Sequence, residues 1–171
     1  MDSLKEYTIP LRSLYPGLHV YKWTLDANFF KNFEHSLVHE GQFNVDMQLD
    51  KQEELSIILI QIQGKYPSIC DRCLAEIEIP IDQSHQLYVK NGIENSEDPD
   101  LIYLPMETNE LKMADILYDY VCLSLPLSQV IDCENLKDPP CNMDVLGRIQ
   151  NEEGLHSDTS VWDTLKNINK N

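Results

Sequence analysis

Basic side chains are scarce: 13 Lys and Arg stand against 29 Asp and Glu in 171 residues, a formal net charge of −16. Binding to a phosphate backbone draws its affinity from Lys and Arg that displace counterions, so extensive direct contact with RNA or DNA is disfavoured. Glycine is sparse as well, with six in the chain. None falls in G-x-x-x-x-G-K-S/T, G-x-G-x-x-G or G-x-S-x-G, which removes the usual supports for nucleotide-dependent catalysis and for a serine nucleophile turn. No apolar run approaches the roughly 20 residues that cross a bilayer. Met1 to Pro10 also lacks the basic and then apolar pattern of a secretory leader, which predicts a cytoplasmic protein without membrane attachment. The five histidines, His19, His35, His39, His85 and His156, are scattered. Only His35 and His39 stand at i, i+4, without the H-E-x-x-H context of a metalloprotease, so they read as surface or core side chains. No catalytic constellation is visible, and the chain reads as non-enzymatic.

What is present is enough apolar residue, 42%, for a single domain over 1–171 with a real core. The acidic excess is uneven. Residues 1–90 hold 8 basic and 13 acidic side chains and residues 91–171 hold 5 and 16, so the C-terminal half carries most of it. A solubilising surface explains this charge; the sharper reading is a partner that is itself basic.

The predicted architecture is α+β: a mainly antiparallel β-sheet over 7–90, an acidic loop at 91–100, then one strand and a helical C-terminal part over 101–171. Helices pack on one sheet face. Tyr7 to Leu11 and His19 to Leu25, separated by Pro16-Gly17, suggest an N-terminal hairpin. Asp26 is a candidate N-cap for a helix to His35, whose Phe29, Phe30 and Phe33 share a face at i, i+3, i+4 spacing and read as core. Gln42 to Leu49 alternates Phe43, Val45, Met47 and Leu49 against polar residues, a half-buried strand. Ile57 to Gln63 forms the next strand. Ile77, Ile79 and Ile81 make another, whose Pro80 places it near a sheet edge or gives it a bulge, and His85 to Lys90 can add a further one. Asp100 to Leu104 is a short strand, Thr108 or Asn109 caps an unusually apolar helix to about Leu123, Asn142 to Gln150 is a short helix, and Val161 to Ile168 a closing one anchored by Trp162 and Leu165.

The organising stretch is the turn between Ile57–Gln63 and Ile77–Ile81, which carries Cys70-Asp71-Arg72-Cys73. Two sulfurs at this spacing can grip one tetrahedral ion, and Cys133 and Cys141 are the candidates for the other two ligands of a structural Zn2+. The seven residues between Cys133 and Cys141 are not knuckle spacing, so their loop has to fold back onto the hairpin. Structural zinc, buried or free thiols, and redox chemistry all remain open. A catalytic C-x-x-C normally opens a helix whose N-terminus lowers the thiol pKa, whereas this pair sits between strands. Cys122, on the apolar helix, reads as a small buried hydrophobe.

C-D-R-C-L with its following I-x-I-x-I strand, the acidic loop, D-I-L-Y-D-Y-V-C-L-S-L-P, C-N-M-D-V-L and V-W-D-T-L-K-N-I together resemble the YceD family of bacteria and plastids, in its Bacteroidetes-like form. The similarity runs from about Tyr7 to Ile168. It implies a non-enzymatic cytosolic factor supporting processing or accumulation of large-subunit ribosomal RNA and ribosome assembly. Combined with the acidic charge, it suggests a basic ribosomal protein or an rRNA-processing factor as partner, with nucleic-acid contact weak or indirect. The other reading is a zinc-stabilised adaptor that binds a basic protein outside ribosome assembly.

Overall fold

A computed structural model of the protein describes residues 4–93, 97–133 and 136–153. The expected closing helix at Val161 to Ile168, with Trp162 and Leu165, lies outside the described residues. The chain divides into two compact units, one of Met1–Pro67 with Glu78–Leu127 and the other of Ser68–Ile77 with Ser128–Asn171.

The first unit is built on a five-stranded sheet, β2 (Gly17–Leu25), β3 (Gln42–Lys51), β4 (Leu55–Ile69), β5 (Glu76–Asn91) and β6 (Leu101–Leu104), in that spatial order. β2, β3 and β4 pair antiparallel, with Tyr21 opposite Met47 and Met47 opposite Ile60. β6 instead runs parallel to β5, with Tyr88 opposite Leu101. The period-two pattern is the cause of the layering. Phe43, Val45, Met47 and Leu49 and, across from them, Ile58, Ile60 and Ile62 are all buried, while Asn44, Asp46 and Gln48 face the other way and are exposed. Each such aliphatic side chain contributes on the order of 1.5–3 kcal/mol by leaving water.

Helix α2 (Ala114–Ser124) covers the buried sheet face. His85 of β5 stacks on Tyr120 of the helix, with ring centroids 4.4 Å apart and planes 4° from parallel, and Leu117 and Val121 are fully buried. The helix begins later than its apolar run suggests. Leu111 and Lys112 form β7 (Leu111–Lys112), which pairs antiparallel with β1 (Thr8–Ile9). Those residues satisfy their backbone in a ladder before Met113 opens the helix.

That pairing also corrects the expected N-terminal hairpin. β1 is two residues long and finds its partner in β7, whereas β2 pairs with β3 along its whole length. The N-cap at Asp26 is present, its carboxylate accepting from the backbone N–H of Asn28 at 2.8 Å and of Phe29 at 3.3 Å. The helix it starts, α1 (Ala27–Phe30), is a single turn. The Asn32 side chain donates to the carbonyls of Asn28 and Phe29 and closes it early. Phe29 and Phe30 are core as the spacing suggested, and Phe33 stacks on Tyr118 of α2 at 4.2 Å.

β5 is one strand of sixteen residues, so the two expected strands around Ser84 are continuous. β6 pairs only with Tyr88 to Asn91. Pro80, exposed within β5, thus sits on the part of the strand that β6 does not pair, where a missing donor is tolerated. In the second unit, α3 (Met143–Glu153) is the expected short helix, begun at Asn142, whose carbonyl accepts from the N–H of Leu146 at 3.2 Å.

Gly64 of β4 shows how tightly the sheet is fitted. It stands opposite Phe43, and a Cβ there would meet the Gln42 carbonyl oxygen at 2.3 Å and the Phe43 Cα at 2.9 Å. Both obstacles are backbone, which cannot rotate away. Gly64→Ala is therefore expected to cost about 1–3 kcal/mol, read as a lower urea midpoint at unchanged slope; an unchanged midpoint would contradict the fit.

Candidate metal centre

Backbone hydrogen bonds close the turn between β4 and β5 and aim the first two sulfurs. The N–H of Cys70 donates to the Ala75 carbonyl at 2.8 Å and the N–H of Leu74 to the Cys70 carbonyl at 2.9 Å. Leu74 takes a left-handed conformation, φ 58°, which a side chain resists and a tight turn demands. Cys70 and Cys73 are each only 1% exposed, inside the loop so formed.

The Gln129 segment is fastened to the same turn. The Asp71 N–H donates to the Gln129 carbonyl at 3.0 Å, and the Gln129 N–H donates back to the Asp71 carboxylate at 2.6 Å. Ser68 adds a hydroxyl bond to the Gln129 side chain. This reciprocal clamp is what carries the chain from Gln129 to Cys133 against the C-D-R-C turn. It supplies the fold-back that the spacing of the second cysteine pair required.

The four candidate cysteines are consequently linked to one another. The thiols of Cys70 and Cys141 donate to the Cys73 sulfur, and Cys133 donates to Cys141. Among the described residues no group of three or more His, Cys, Asp or Glu side chains already stands in ion-holding geometry. The thiols are joined in one chain, Cys70 to Cys73 to Cys141 to Cys133.

Electrostatics differ among the four. Backbone N–H groups of Asn142 and Ala75 donate to Cys73 and hold its pKa below the ordinary thiol value, against the opposing effect of burial. The bond Cys133 gives to Cys141 and its burial push Cys133 upward, with Arg72 opposing. Arg72 donates to Cys141 and is itself held more firmly protonated by that contact. The N–H groups aimed at Cys73 stabilise thiolate charge on that one sulfur, whereas Cys133 is held toward the protonated thiol. Of these features, the sequence offered only the sulfurs. Asp71 and Arg72 lay inside the recognised C-x-x-C, but nothing in the sequence paired Asp71 with Gln129 or Arg72 with Cys141.

Cys122 stands outside these links, on α2; it is half-buried, where full burial was expected, and its partial burial raises its pKa. His85 is structural. Its Nε2 meets the Ser124 hydroxyl at 2.9 Å, and that hydroxyl donates to the Tyr120 carbonyl at 2.6 Å. The hydroxyl thus links the imidazole of β5 to the backbone of α2.

Burial lowers the His85 pKa below 6.5, with Asp100 pulling the other way. The folded state then resists a proton that the unfolded chain accepts. This contribution to stability is present above about pH 6.5 and is lost as the pH falls through the folded value. Urea midpoints taken from about pH 7.5 to 5.5 should fall less steeply for His85→Gln than for the parent chain, and parallel slopes would refute this assignment.

A family model described as large ribosomal RNA subunit accumulation protein YceD matches residues 58–169 of the 171. The chain belongs to this family. No curated protein and no solved structure matches it.

Proposed function

We propose that this member of the YceD family is a non-enzymatic factor that supports the processing and accumulation of large-subunit ribosomal RNA. The observation that carries the reading is the family match, which spans the C-x-x-C turn, the apolar helix α2 and the later cysteines. No helix among the described residues is long and apolar enough to cross a membrane, which is compatible with work in the cytoplasm at assembling ribosomes.

The charge bears on how such a factor acts. A net of −16 works against direct binding to an RNA backbone and favours a basic ribosomal protein or a processing enzyme as the partner. Within this reading the thiol cluster is a structural Zn2+ site with Cys70, Cys73, Cys133 and Cys141 as ligands. The support is chemical: an all-sulfur donor set suits tetrahedral zinc, and the N–H donors to Cys73 are the kind of outer contact that orients a metal-bound thiolate. Bound zinc would neutralise thiolate charge and tie the Cys133–Cys141 segment to the turn; it is assigned no chemical step.

Depletion of the protein tests the function. The ratio of large-subunit to small-subunit ribosomal RNA is expected to fall, with large-subunit precursors accumulating in the same samples. An unchanged ratio with normal precursor ends would overturn the reading.

A further inference from the structure

β2 is an edge of the five-stranded sheet, and it is a long one, nine residues registered one to one with β3. Among the described residues no backbone hydrogen bond outside the sheet engages Leu18 to Leu25. Such a row of unpaired N–H and C=O groups is a template for another strand, and natural edges are usually blunted by proline, a bulge, short length, inward charge or charged side chains such as lysine. The opposite edge follows that rule: β6 has four residues and stops before Pro105. β2 has no proline, its register is uninterrupted, and its one charged side chain, Lys22, is engaged by Asp46 at 2.5 Å.

The side chains along β2 differ between its two faces. On the face turned from the core, Leu18 is 64% and Val20 58% exposed, and Leu59, 48% exposed, lies in the same cross-strand row as Val20 through Gln48. On the other face Tyr21 and Trp23 stack with ring centroids 5.6 Å apart. A hollow of about 420 Å³ lies beside Trp23, lined in part by Glu6, Asp26, Phe29 and Lys22, the last drawn to Asp46. A strand added here would place alternate residues against an aliphatic row and the residues between them against Tyr21 and Trp23, the indole of which donates to the Glu6 carbonyl, with the Glu6 and Asp26 carboxylates at the same end. Apolar residues suit the first set and cations the second, through ring faces and ion pairing together.

We propose that β2 is a docking edge for an extended lysine- or arginine-rich segment of a partner protein, which joins the sheet as an additional antiparallel strand. The proposal depends on the reading above that the partner is basic, and names the place and manner of its binding. Charge selects this occupant over a second copy of the chain, since pairing two edges would bring together two molecules of net charge −16.

A synthetic peptide of about eight residues alternating valine and lysine, long enough to span most of a strand, serves as the probe on the full chain. Backbone amide exchange over Gly17 to Leu25 is expected to slow about tenfold or more at saturating peptide, with β6 unchanged. The corresponding valine–glutamate peptide should give no protection. L18K/V20K, which changes two exposed side chains, should weaken valine–lysine binding about tenfold or more. Absence of protection on β2, protection elsewhere only, or sedimentation showing a dimer that L18K/V20K dissolves would overturn the proposal. In cells depleted of the parent chain, L18K/V20K is expected to fail to restore the ribosomal RNA ratio. Full restoration by this variant would overturn the docking edge while leaving the functional reading intact, whereas a ratio insensitive to depletion itself would remove the functional reading alone.

Discussion

The cysteine cluster depends on one small piece of backbone: the Cys70 N–H bonded to the Ala75 carbonyl and the Leu74 N–H bonded back to the Cys70 carbonyl. These bonds fold the chain tightly enough to bury two sulfurs in a four-residue C-D-R-C segment, at the cost of a left-handed leucine. The reciprocal Asp71–Gln129 clamp adds to that turn, beside which Cys133 donates to Cys141 and Cys141 to Cys73. Local backbone geometry comes first, side-chain capture of a distant segment second, and sulfur chemistry last.

The chemistry then has a direction. Cys73 is the sulfur whose backbone donors favour loss of its proton. Deprotonating all four would place mutually repelling charges within contact distance, and a divalent cation offsets that repulsion. Among the described residues the sulfurs are linked by hydrogen bonds, and no group of three or more side chains stands ready to hold an ion. Closing the set on zinc would couple metal binding to folding of this unit.

Much of the fold could be read from periodicity. The alternation in Gln42 to Leu49 placed Phe43, Val45, Met47 and Leu49 in the core, and the Pro80 argument placed that part of β5 beside a sparsely paired edge. The errors came from non-local pairing. Thr8 and Ile9 pair with Leu111 and Lys112, roughly a hundred residues away, and no local pattern announces such a partner. The same pairing shortened α2, because a strand claimed residues that carried helical periodicity. α1 ended early for a local reason that spacing alone conceals, the Asn32 amide taking up two carbonyls. At the candidate site the sequence supplied the four sulfurs and left their relation open. The clamp through Gln129 depends on a side chain meeting a backbone 58 positions away, and such contacts have no periodic signature.

The most direct measurement of the central claim is metal stoichiometry on the purified chain and on three single variants, Cys73→Ser, Cys141→Ser and Cys122→Ser, each loaded with zinc under reducing conditions and desalted. The account predicts one tightly held zinc per chain, lost or much weakened in Cys73→Ser and Cys141→Ser and fully retained in Cys122→Ser. Absence of zinc from the parent chain, or retention of it by Cys141→Ser, would contradict the assignment of these four sulfurs as a metal centre.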